Sequence, residues 1–191
     1  MKHIRLVVLV GLTLVLFGAT QALAGTITYT EQAVASGTIG TDSFSGTFIT
    51  ITMVGNTANV TGGGGFFTNY GTMTIDIPGT GLATFTGATY VFVNQGYPAV
   101  GMADGTAGGS ILDTIDGSVS TYDLTTAFGP ITNSPFWRSD LTYGTSLGGL
   151  NFTGMGNSTF TASTIPEPSS LLLLGSGLVG VAGLVRRRLN L

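Results

Sequence analysis

Eight carboxylates are the only side chains between residues 25 and 165 that could serve as general acids or bases near neutral pH: Glu31, Asp42, Asp76, Asp104, Asp113, Asp116, Asp123 and Asp140. One cation, Arg138, accompanies them, a net of −7, and the stretch has no lysine, histidine or cysteine. That excludes Ser-His-Asp and Cys-His nucleophilic chemistry, lysine Schiff bases and histidine or cysteine metal sites. It also removes any basic footprint for nucleic acid. Carboxylates alone leave two options: oxygen ligation of a hard cation such as Ca²⁺, and two-carboxylate hydrolysis of a glycosidic bond.

The candidate calcium ligands are Asp113, Asp116 and Asp123, the first two in the string Asp113-Thr114-Ile115-Asp116-Gly117. Their spacing is not that of an EF-hand loop, and aspartates in loops commonly form Asx-turns instead. For glycosidase chemistry one carboxyl needs a raised pKa. Asp140 has aromatic neighbours in Phe136, Trp137 and Tyr143, but it lies two residues from Arg138, which argues for an ion pair. The single Trp, Trp137, reads either as a core aromatic or as a sugar-stacking platform. The steps Thr26/Thr28, Thr50/Thr52, Thr72/Thr74, Thr84/Thr86 and Thr159/Thr161 put hydroxyls ~6.7 Å apart on one strand face. Such arrays could order water and bind ice, although Thr also fills the solvent face of ordinary strands. The glycine runs 62–65 and 105–109 are not followed by Lys or an evident helix, which leaves them as loops and not phosphate cradles.

The elements that would carry these residues have the period of strands. Residues 26–30, 47–54, 70–77, 82–86, 89–94, 111–115, 119–124 and 158–164 are rich in Val, Ile, Thr, Tyr and Phe, and Pro78-Gly79-Thr80-Gly81 suits a hairpin. The class expected is all-β: an antiparallel sandwich of jelly-roll or immunoglobulin-like topology. A β-solenoid would need a fixed-period repeat, which is absent. Phe44, Phe48, Ile51, Met73, Ile75, Phe85 and Phe92 are the expected core, and without cysteine no disulfide supports it.

Both flanks differ from this middle. Residues 1–24 combine Lys2, His3 and Arg5, an apolar run from Leu6 to Gly18, and small residues Ala22 and Ala24 before Gly25. That layout predicts a signal peptide cleaved after Ala24 and passage through the Sec translocon. Residues 165–191 open on Pro166-Glu167-Pro168, continue through an uncharged apolar run and close on Arg186-Arg187-Arg188. A helix over about 169–185 spans ~25 Å, a marginal crossing of a ~30 Å hydrocarbon core. The arginines act as a basic stop and place the C-terminus in the cytoplasm. Gly177, Gly180 and Gly183 give the helix a smooth, weak face that another helix can approach.

The string Pro166-Glu167-Pro168-Ser169-Ser170-Leu171, the glycine-rich apolar stretch and the arginine run resemble the PEP-CTERM sorting signal, also described as the ice-binding-protein C-terminal domain. Ile165 stands where that family usually has Val. The resemblance implies recognition by an exosortase, a membrane-embedded cysteine enzyme acting near Pro166-Glu167-Pro168, and an association with exopolysaccharide and biofilm matrix. It also implies an inner-membrane precursor and a final place at the cell surface or in the matrix. The expected division is a signal peptide at 1–24, an exported β-rich domain at 25–164 and a sorting signal at 165–191. The expected function is that of a non-catalytic envelope or matrix protein without cofactor. The alternatives are a carbohydrate-binding module, an aspartate-dependent glycosidase and an ice-binding protein.

Overall fold

In an extended backbone, alternate side chains face opposite ways, so Ile27, Tyr29, Ala33, Ala35 and Ile39 all point to one side. Burying that side fixes the first strand and recruits its neighbours. A computed structural model of the chain describes residues 25–164 and Gly175. The strands in order are β1 (Thr26–Ile39), β2 (Asp42–Asn56), β3 (Thr61–Gly63), β4 (Phe66–Tyr70), β5 (Met73–Ile77), β6 (Gly81–Thr84) and β7 (Thr89–Asn94). There follow β8 (Ala99–Asp104), β9 (Gly109–Ile115), β10 (Phe128–Asn133), β11 (Pro135–Phe136), β12 (Tyr143–Thr145) and β13 (Gly148–Thr164). Two 3-10 turns, Thr57–Asn59 and Gly117–Thr121, complete the elements.

Every pairing is antiparallel. The first sheet has the order β10-β13-β1-β2-β5-β6, with β12 also on β13; the second has the order β11-β9-β8-β7-β4-β3. One apolar core joins them, from Ile27, Ile51 and Phe152 of the first sheet to Val91, Met102 and Leu112 of the second. The all-β antiparallel expectation therefore holds. Six of the eleven pairings join strands consecutive in sequence, and β1 with β13, β2 with β5, β10 with β13, β4 with β7 and β9 with β11 are crossovers. Neither sheet has the immunoglobulin order, in which the first, second, fifth and fourth strands form one sheet.

The first sheet also closes at one end. Phe85, just after β6, bridges Thr145 of β12, with Thr86 N–H donating to Gly144 O at 2.9 Å and Ser146 N–H to Thr84 O at 2.8 Å. Since β12 pairs with β13 on its other side, β13-β1-β2-β5-β6-β12 forms a ring. The long strands bend into it at register shifts around Ala35 to Gly37. A Cβ at Gly37 would collide with the Asn151 carbonyl and the Phe44 ring, so only glycine lets β1, β2 and β13 close up there.

That irregularity corrects the expected core. Phe44 and Phe48 share parity, yet Phe44 is buried and Phe48 is 53 % exposed. The register slips between them, at Gly46 with φ of +58°, and reverses which face each parity occupies. Phe92 also leaves the core: Val91 and Val93 point inward and Phe92 points out. Residues 119–124 are not a strand; Asp116 caps a 3-10 turn there and Leu124 takes a left-handed φ of +68°. Strand β8 lies outside the expected strands, because its sequence of Ala, Val, Gly, Met, Ala and Asp shows no polar alternation when all six residues are buried.

Truncating fully buried Ile51 to Ala should cost about 2–5 kcal/mol in urea unfolding, whereas Phe48→Ala should stay within about 0.5 kcal/mol. Equal losses at the two positions would contradict this register.

Candidate functional site

Glu31 and the calcium candidate Asp113 are the most perturbed acids of the described residues. Glu31 sits on the inward face of β1, between Tyr29 and Ala33, and is fully buried. Across the core, β9 brings the Thr114 hydroxyl, which donates to Glu31 Oε1 at 2.9 Å. Ser158 of β13 lies 2.6 Å from the same hydroxyl. Glu31 Oε2 has no partner. Burial, then the nearby Asp113, push the Glu31 carboxyl well above the usual carboxylate range, and the Thr114 bond only partly opposes them.

Asp113 precedes Thr114 and so points to the opposite face of β9. Its Oδ1 lies 2.7 Å from where a Gly101 Cβ would sit and has no hydrogen-bond partner. Burial pushes its carboxyl up to about 8. The two acids therefore sense each other through the sheet without sharing a space that a substrate could enter. Raised carboxyls of this kind often mark active sites. Here Glu31 is sealed between the layers, which removes it as a glycosidase acid.

The other candidates are separated. Asp116 accepts from Ser118 N and Oγ, and those bonds lower its pKa. Asp123 accepts from Thr125 N and Oγ1 in the same kind of turn. Together with buried Asp113 these are the three calcium candidates; among the described residues no group of three or more His, Cys, Asp or Glu could hold a metal ion. Arg138 donates to both oxygens of Asp140, at 2.7 and 2.6 Å, which holds that carboxyl down at about 2. The ion pair expected for Asp140 is thus present. Trp137 packs partly against the core. A polar cleft of about 600 Å³ opens between the β1–β2 and β5–β6 turns, lined by Asp42, Phe44 and Thr80 among others, and Asp42 is its single carboxylate.

Pairing turns the T-x-T steps into rows. Thr161, Thr30, Thr52, Thr74 and Thr84 stand directly opposite one another on five adjacent strands, on the outward face of the first sheet. A second row runs Thr132, Thr159, Gln32, Thr50 and Asp76. Sequence spacing gives only the repeat along each strand; the cross-strand alignment depends on register.

The exported domain ends where the tail starts. Thr164, the last residue of β13, pairs with Ile27, so both ends of the described chain meet at one end of the first sheet. Residues 164–188 match the protein family described as the PEP-CTERM protein-sorting motif. The tail is a PEP-CTERM sorting signal. No curated protein and no solved structure matches the chain. A tail of this kind marks an exported chain, membrane-anchored as a precursor and processed by an exosortase. Pro166, Glu167, Pro168, Arg186, Arg187 and Arg188 lie in it, outside the described residues; the signal peptide expected at 1–24, with Ala22 and Ala24, also falls outside them. No helix among the described residues is long and apolar enough to cross a membrane; the helix expected at about 169–185 lies outside them save Gly175.

The buried acids set a pH dependence. Unfolded, both titrate near 4; folded, Asp113 keeps its proton up to about 8. Between those limits the folded chain binds more protons, so the contribution of these two acids to stability is full below about pH 4 and is lost as pH rises through 8. The lowered carboxyls of Asp116 and Asp140 act only below about pH 4, with the opposite sign. The melting temperature should drop by roughly 5 °C or more from pH 5 to pH 8, and Asp113→Asn with Glu31→Gln should flatten that slope. A wild-type melting temperature that rises over this range would refute the assignment.

Proposed function

We propose that residues 25–164 form a non-catalytic component of the cell envelope or extracellular matrix, delivered through the Sec translocon and exosortase processing and associated with exopolysaccharide. The observation that carries this reading is the sorting motif beginning on the last residue of a folded acidic domain. The motif supports delivery to the surface. The burial of Glu31 and the dispersal of the other carboxylates favour binding or structure over turnover. The precursor would sit in the inner membrane and the processed chain at the surface or in the matrix.

Fractionation of cells tests this. Wild-type chain should appear in the polysaccharide fraction and release no new reducing ends from it, while the triple change Pro166→Ala, Glu167→Ala, Pro168→Ala should leave the chain unprocessed in the membrane. New reducing ends would make it a hydrolase; unchanged mass and location of the triple variant would remove the sorting step.

A second reading is favoured by the threonine row. Strands ~4.8 Å apart and a ~6.7 Å repeat along each strand make a two-dimensional lattice of hydroxyls and methyls, the kind of surface that can order water into ice-like positions. If the row binds ice, processed protein should slow ice growth, and Thr52→Tyr at its centre should abolish the effect. Ice growth unaffected by the wild type would eliminate this reading.

A further inference from the structure

The outer face of the second sheet carries a feature that neither sorting nor fold stability requires. Tyr70 of β4 stands opposite Tyr90 of β7, with ring centroids 5.0 Å apart. The ladder continues from Tyr90 to Phe92 at 6.4 Å and from Phe92 to Phe66 at 6.0 Å. Its ends are open to solvent: Tyr70 is 56 % exposed and Phe66 45 %. Four aromatics on an outward strand face lose the burial that normally favours them.

The next strand offers almost no side chain on this face. In β8, Gly101 pairs with Phe92 and Ala103 with Tyr90, a floor of small, buried residues beside the aromatic ridge that neighbouring side chains cover. Across that floor, on β9, Asp113 pairs with Gly101 and Ser110 with Ala103. Asp113 is 6 % exposed, its Oδ1 lies over Gly101, and it has no hydrogen-bond partner. Ser110 Oγ, also buried, is unpartnered too. A buried polar atom left unpaired costs free energy, so two of them beside an aromatic ridge point to a ligand that supplies the missing bonds.

We propose that this face binds a neutral polysaccharide, whose sugar rings stack on Tyr70, Tyr90, Phe92 and Phe66 while ring hydroxyls meet Asp113 and Ser110. This deepens the matrix reading, on which it rests, by naming the binding surface and the ligand class. Flat aromatic faces pack against the apolar C–H faces of sugars, and a few polar groups fix orientation. Charge argues against an anionic polymer. The domain carries −7, and its single cation is held by Asp140, so an anionic polymer finds repulsion and no guanidinium to engage. Asp113, with its carboxyl pushed up to about 8, keeps its proton at neutral pH and can both donate and accept without a net charge.

Native affinity electrophoresis of the full chain in detergent, against neutral and acidic fractions of the producing organism's exopolysaccharide, tests the proposal. The neutral fraction should retard the wild type and the acidic fraction should not. Replacing exposed Phe66 and Tyr70 by Ala should weaken retardation roughly tenfold or more, as expected for loss of two stacking rings. Asp113→Asn, close in shape and still hydrogen-bonding, should weaken it by about threefold or less, and Asp113→Leu by much more, with melting curves confirming that each variant is folded. Phe48→Ala, an exposed aromatic of the other sheet, should change nothing. If the neutral fraction holds the wild type and the Phe66/Tyr70 variant equally, this surface is wrong while the matrix reading survives. Retardation by the acidic fraction alone would overturn the ligand class. A wild type that neither fraction retards would bring down both the surface and the matrix reading.

Discussion

Strand β1 is paired on both sides along nearly its whole length, to β2 from Thr26 to Ile39 and to β13 from Ile27 to Ile39. Most else in the molecule depends on that double pairing. Side chains alternate with a period of two, so a slip of one residue would expose Ile27 and Tyr29 and bury Thr28 and Thr30. The pairing also delivers Glu31 to the core, aligns Thr30 with Thr52 and Thr161, and brings Ser158 within reach of Thr114. Buried polar groups then check the register from across the sandwich. The Tyr29 hydroxyl donates to Leu124 O at 2.7 Å and accepts from Asn69 at 2.9 Å, tying β1 to β4 and to the left-handed turn at Leu124. A slipped β1 would leave these groups unpaired in an apolar interior.

The same alternation separates two kinds of perturbed acid. Glu31 and Asp113 both have raised carboxyls, and both are raised chiefly by burial. Glu31 faces the inter-sheet core and is sealed there. Asp113 faces the outer side of the second sheet and is itself buried, with Gly101 beneath it. A pKa shift of one sign therefore arises on both sides of the second sheet, and the face each acid occupies distinguishes them. The inward acid costs stability as it ionises; the outward one can also meet a ligand.

What was legible in the chain was what local pattern determines. Thr89–Asn94 is a strand with the bounds its alternation implies, and Pro78 to Gly81 connects β5 to β6 as a turn, with Thr80 N–H donating to Ile77 O. The sorting tail was legible because its motif is contiguous. Glu31 carried a signal that went unused: it shares parity with Ile27, Tyr29, Ala33 and Ala35, so a strand extended beyond Thr30 would have placed it inside. The rest was nonlocal. The bond between Thr114 and Glu31 spans 83 residues, and the threonine row exists only once five strands are registered. Asp113 was singled out for calcium, and the structure instead gives it a glycine floor and aromatic neighbours that no spacing announces.

The position of the tail gives the fold a mechanical logic. The sorting motif begins at Thr164, so whatever holds the motif pulls on the end of β13. That strand lies inside its sheet, with β1 along one side and β10 and β12 along the other. A pull along its axis shears many hydrogen bonds together, whereas an edge strand peeled sideways would lose them one at a time. The seventeen-residue length of β13 and its pairing on both flanks suit a strand that joins a domain to its attachment point. The aromatic face, by contrast, belongs to the second sheet, which contains neither end of the described chain. Tension arriving through the tail reaches that face through the shared apolar core and through cross-sheet bonds such as Asn69 to Tyr29 and Thr114 to Ser158.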